Sequence, residues 1–100
     1  MKFTQIIDFE TERIDDLEAL LEERRAALAD KSYGPVSRLL LRDRDNPNRY
    51  LAVVGFSSYD EALRSNDDPD TTQLAQRLAE LCTRPPRFTD CDLLDEQDLR

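Results

Sequence analysis

The residues of this chain that could do chemistry are arginines, carboxylates, tyrosines and two cysteines, because its 100 residues include no histidine and no tryptophan. Proton transfer would therefore fall to Asp, Glu, Tyr, Lys or Cys. Arg38 and Arg42 share one face of an extended segment, where a guanidinium can hold an enolate, a phenolate or a carboxylate. Asp8, Tyr33 and Tyr50 are the groups that would orient such a ligand or move its proton, and nothing in the sequence chooses among them. Phe56 is a candidate apolar contact beside them.

Other candidates dissolve on spacing. Cys82 and Cys91 form no CxxC pair and have no histidine to complete a metal site, so both are expected as reduced, structural thiols. Asp90 and Asp92 flank Cys91 and work against a nucleophilic thiolate. The run Asp43-Arg44-Asp45-Asn46-Pro47-Asn48 begins like a calcium loop, but Asn48 stands where the loop needs glycine and Val54 where it needs glutamate. It reads as a hairpin turn. Asp67-Asp68-Pro69-Asp70 reads as a helix start, with Asp68 capping and Pro69 at the first helical position. No metal or other cofactor is expected.

The elements that must position these groups can be read from periodicity. Residues 2–9 alternate as a strand, with Phe3, Ile7 and Phe9 on one face and Thr4, Ile6 and Asp8 on the other. Thr11 suits an N-cap, and Ile14, Leu17, Leu20, Leu21, Arg24 and Leu28 recur at helical spacing until Gly34-Pro35. Residues 36–44 and 49–56 make a hairpin around the Asp45–Asn48 turn. Ser58 to Glu61 forms a capping box opening a short helix, which breaks before a longer one carrying Leu74, Leu78 and Leu81. Pro85-Pro86 ends it, residues 88–94 supply the last strand, and residues 95–100 form a charged tail.

This order is a ferredoxin-like βαββαβ sandwich of the α+β class, spanning residues 1–100 as one domain. Right-handed crossovers place the antiparallel strands in the order 4-1-3-2, with the helices on one face. The other face is left bare, and a second copy of the chain is its simplest cover. It is expected to carry Thr4, Ile6 and Asp8, then Arg38, Leu40 and Arg42, with Asp90 and Asp92. Tyr50, Ala52, Val54 and Phe56 are expected there too, because Leu51, Val53 and Gly55 suit close helix packing. Enclosed charges need partners, so this surface reads either as ion pairs setting a dimer or as a ligand pocket.

Charge narrows the partners. With 14 basic and 22 acidic side chains the net charge is −8, which disfavours phosphate backbones and anionic lipid surfaces. Residues 31–50 stand apart, with 5 basic groups against 2 acidic. The start of the chain carries no apolar run of signal-peptide length, and the longest apolar stretch, Leu51 to Phe56, is far short of a membrane span. A cytoplasmic homodimer is expected, with no nucleic-acid or membrane partner.

The element order, the run Phe56-Ser57-Ser58-Tyr59-Asp60-Glu61-Ala62-Leu63 and the Pro69-Asp70-Thr71-Thr72 helix start resemble the dimeric α/β-barrel superfamily, in its antibiotic-biosynthesis-monooxygenase-like branch. The resemblance spans residues 2–94 and implies this fold and its pairing as a dimeric α/β barrel. The superfold hosts oxygenases, isomerases, haem enzymes and ligand binders, so it does not assign one activity. Relatives that hold haem iron or catalyse through histidine have no counterpart here, and the pocket tryptophan of several cofactor-free oxygenases is missing. Two functions remain: a small homodimeric barrel that binds a small organic ligand or a protein partner, and a cofactor-free monooxygenase acting on a quinol or polycyclic aromatic substrate. The second would work by stabilising a deprotonated aromatic in a dry pocket until its electron-rich ring meets oxygen.

Overall fold

The computed structural model describes residues 2–29, 31 and 33–100. Strand β1 (Phe3–Glu10) leads into helix α1 (Ile14–Leu28), followed by the hairpin β2 (Ser37–Arg42) and β3 (Arg49–Phe56). Helices α2 (Tyr59–Asn66) and α3 (Pro69–Leu81) come next, and β4 (Arg87–Asp92) closes the sheet. All strand pairs are antiparallel in the order β2-β3-β1-β4, which is the expected ferredoxin-like order read from the other edge.

Register decides which side chains meet the helices. Phe3 stands opposite Phe56 and Phe9 opposite Tyr50, so both aromatic pairs lie on one face of the central strands. Phe9 stacks on Tyr50 with ring centroids 5.7 Å apart, and Leu17, Leu20 and Leu78 close over them from α1 and α3. Phe3, Phe56 and Ala62 build a second, smaller cluster under α2, with Tyr59 edge-on to Phe3. Large aromatics supply most of this burial, and their mutual packing adds roughly 0.5–1.5 kcal/mol per pair beyond area alone.

This corrects the expected faces of three strands. Tyr50, Ala52, Val54 and Phe56 face the helices, and Leu51, Val53 and Gly55 face away. By the same register Arg38, Leu40 and Arg42 belong to the helix side, as do Asp90 and Asp92. The bare face instead carries Ile6, Leu39, Leu41, Leu51 and Val53, bordered by Thr4, Ser37, Thr89 and Cys91. It is an apolar surface, with Leu39 61% and Leu41 44% exposed. Its charges gather at one end, where Arg49 and Arg84 pair with Asp8, Asp43 and Glu10.

Capping explains the helix limits. Ser58 Oγ accepts the Glu61 amide at 3.2 Å, and Asp68 Oδ1 accepts the Asp70 amide at 2.9 Å ahead of Pro69. Thr11 does not cap α1. Its hydroxyl donates to the Leu81 carbonyl at 2.6 Å and accepts the Arg13 amide, tying the end of β1 to the end of α3. Helix α1 therefore starts at Ile14, behind an Arg13 cap without a side-chain bond. No helix among the described residues is long and apolar enough to cross a membrane.

Candidate ligand-binding cleft

On the helix side of the sheet a cleft of about 790 Å³ opens between β1, β3, β2 and the helices. Its floor includes Ile7, Val54, Phe56 and Phe88, and its roof includes Leu21 and Leu28 from α1 with Leu74 and Leu78 from α3. Pro35, Val36, Ser65 and Asn66 belong to the same lining. A concave, mainly apolar space of this size with a few placed polar groups is what a small-molecule site requires.

The polar groups come from three directions. Arg38 lies at the exposed rim, at the end of a cross-strand row with Val54, Gln5 and Asp90, and makes no ion pair among the described residues. Gln5 donates to Asp90 at 3.2 Å, which occupies that carboxylate outside the lining. Arg24 reaches in from α1 and donates through Nη2 to Thr71 Oγ1 at 2.6 Å. Its side chain is only 10% exposed, and Asp68 Oδ2 lies 3.9 Å from the same nitrogen.

Asp68 anchors one end of this region. It accepts the Tyr33 hydroxyl at 2.8 Å and the Lys31 ammonium at 3.1 Å, besides the Asp70 amide. The Asp70 amide, then Tyr33 and Lys31, hold its carboxyl down at about 2. Asp68 and then Tyr33 push Lys31 above its ordinary value in return. The Tyr33 ring also lies 5.1 Å from the Arg64 guanidinium.

The sequence candidates fall in different places. Arg38 and Phe56 line the cleft, whereas Arg42 lies on the same sheet side one row beyond it, level with Tyr50. Tyr50 is buried in the core against Phe9, and Tyr33 is spent on Asp68. Asp8 is on the opposite, bare face, where Arg49 bonds it through Nε at 3.1 Å and Nη2 at 2.8 Å. Those bonds hold the Asp8 carboxyl below its usual value. Arg49 also reaches Asp43 at 2.9 Å, and Asp43 is lowered first by the Asp45 amide and then by Arg49.

Arg24 is the lining residue that sequence reasoning placed only in a helical stripe. The signal for it was an arginine at a core-facing helical position, where a buried charge needs a reason. Behind it, a groove of about 230 Å³ runs between α1 and α3 past Glu23, Asp70 and Arg77, where Arg77 pairs with Glu23 at 3.2 Å. Cys82 and Cys91 are free thiols, the first pushed up by burial. Among the described residues no group of three or more metal-ligating side chains converges.

No protein-family profile matches the chain, and no curated protein does. Solved structures do. A point mutant of SnoaB, a cofactor-independent oxygenase from Streptomyces nogalater, superposes with a TM-score of 0.77 at 24% identity, over 98% of this chain and 96% of that one. Rv0793 from Mycobacterium tuberculosis gives 0.76 at 21% identity, over 98% and 100%. A Bordetella bronchiseptica protein, provisionally named an antibiotic biosynthesis monooxygenase, gives 0.74 at 20% identity over 93% and 97%. The chain thus has the fold of the antibiotic-biosynthesis-monooxygenase-like proteins, as its element order implied.

Proposed function

We propose that this protein binds a small organic molecule in the cleft between its sheet and helices. The cleft itself carries this reading: about 790 Å³ of mainly apolar lining, with arginine, amide and hydroxyl groups at its edges. Fluorescence titration with 2-naphthol tests it, alongside the variant Ala75→Trp, which places a ring into the cleft from an exposed position on α3. Saturable binding, weakened tenfold or more by the variant, supports the reading. Binding that the variant leaves unchanged contradicts it.

A second reading, a cofactor-free monooxygenase acting on a quinol or polycyclic aromatic, is favoured by the likeness to SnoaB along nearly the whole chain. In that case the arginines would hold the substrate as its oxyanion and the apolar walls would exclude water while the ring reacts with oxygen. Oxygen uptake with 1,4-naphthoquinol, above the rate without protein and abolished by Ala75→Trp, would support it. Uptake equal to the protein-free rate would leave ligand binding alone.

The homodimer belongs to the same proposal, on the face opposite the cleft. Ile6, Leu39, Leu41, Leu51 and Val53 form a contiguous apolar surface on the open side of the sheet, suited to burial against a second copy. Pairing there would leave the cleft free in each protomer.

A further inference from the structure

The cleft is electrically unlike the rest of the chain. Acidic side chains outnumber basic ones by 22 to 14 overall, yet the described lining holds Arg24, Arg25 and Arg38 and no carboxylate. Arg25 is engaged by Glu22 at 2.9 Å on the exposed side of α1, which leaves Arg24 and Arg38. Arg38 sits at the exposed rim, a position any solvated arginine could take.

Arg24 is different. A guanidinium offers five N–H donors and is weakly stable when buried unless they are used. Among the described residues Arg24 donates only through Nη2, to Thr71, and its one nearby carboxylate is 3.9 Å from that same atom and already shared with Lys31. Its Nε and Nη1 have no protein acceptor there, and neither is sealed from solvent. The groove behind it holds a Glu23–Arg77 pair and the further carboxylate of Asp70, whereas the cleft adds Arg38 and no carboxylate, so the cleft is the side that favours an anion.

We infer that the ligand of the cleft is an organic acid, bound as its carboxylate or phenolate, and that Arg24 is the residue that binds its oxyanion, with Arg38 as a second contact at the rim. The inference rests on the proposed ligand-binding role of the cleft and adds the ligand's charge and its anchor. The apolar walls then hold the body of the molecule, and the arginine pair supplies charge-assisted hydrogen bonds to its charged head.

A matched pair of probes tests this: 2-naphthoate and its neutral isostere 2-naphthamide. The wild-type protein should bind the naphthoate at least tenfold more tightly at low salt, with the gap narrowing as sodium chloride is raised. Arg24→Met should erase that preference, lowering the naphthoate affinity at least tenfold more than the naphthamide affinity, and Arg24→Lys should restore part of it. Should Arg24→Met fail to fold, the wild-type pair with its salt dependence is read together with the Arg24 Nε–H resonance, which must shift with naphthoate and not with naphthamide. Equal affinities for the two probes, or an unmoved Arg24 resonance with naphthoate bound, would overturn the inference and leave ligand binding standing. Binding of neither probe while 2-naphthol still binds would overturn the inference alone, and binding of none of the three would remove the proposed function along with it.

Discussion

The Tyr33 hydroxyl donates to Asp68 at 2.8 Å, joining the segment that follows α1 to the residue that caps α3. Both segments contribute to the cleft, through Pro35 and Val36 on one side and Thr71 and Thr72 on the other. The bond therefore fixes the spacing of two walls as well as a helix end. Tyr33→Phe removes the donor while keeping the ring, and should cost about 1 kcal/mol in denaturant unfolding. No change in the unfolding midpoint would show that the bond holds nothing.

Acid should loosen the same junction. The Asp68 carboxyl is held at about 2 in the folded chain, below its ordinary value of 3.8. A depressed folded value contributes stability that is present above the unfolded value and lost as pH falls through the folded one. Asp8 and Asp43 are lowered in the same direction by their own bonds. The unfolding midpoint should thus hold steady near neutrality and decline between about pH 4 and pH 2. Asp68→Asn should be less stable at pH 6 and show a shallower decline, so parallel curves for the two proteins would contradict the assignment.

Gly34 has φ +118°, a conformation open to glycine and strained for other residues, while a Cβ there would meet Leu28 only at ordinary contact distance, 3.4 Å. Gly34→Ala should destabilise by roughly 1–3 kcal/mol. Because Gly34 precedes Pro35 and Val36 of the lining, 2-naphthol affinity should fall as well. Thermal unfolding and titration of the one variant check both effects.

Leu17 is fully buried under the Phe9–Tyr50 stack, so Leu17→Ala should cost about 2–5 kcal/mol with a cavity left behind. A loss below 1 kcal/mol would mean that α1 can settle onto the sheet, and that this core is looser than its packing indicates.

On the bare face, Leu39→Asp changes a side chain that is 61% exposed and touches no core cluster. It should leave the fold intact and convert a sedimenting dimer to an 11.6 kDa monomer at micromolar concentration. A wild-type protein that sediments as a monomer would remove the proposed pairing altogether.

Element order was legible because several boundaries had a local cause: the Ser58 and Asp68 caps, the Asn46-Pro47 turn, and the alternation of β1. The phase of β3 was not. Both of its faces are apolar, Tyr50, Ala52, Val54 and Phe56 against Leu51, Val53 and Gly55, so alternation alone cannot say which is buried. The spacing of Phe3 and Phe9 on β1 matches that of Tyr50 and Phe56 on β3, and this was the readable clue to their pairing. Arg38 and Asp90 followed β3 to the helix side, which separates two surfaces that the sequence merged. The candidate cleft lies on one side of the sheet and the apolar face on the other. Arg24 stayed hidden because a helical stripe shows which side chains turn inward without showing whether an inward charge is matched.

The most direct measurement is a methyl-resolved carbon–proton NMR titration with 2-naphthoate, because methyl groups, unlike strand amides, distinguish the two faces of the sheet. Leu21, Val54, Leu74 and Leu78 line the cleft, while Leu39, Leu41, Leu51 and Val53 belong to the bare face. The first set should shift in proportion to occupancy while the second stays in place. Shifts confined to the second set, or none at saturating probe, would contradict a ligand site between the sheet and the helices.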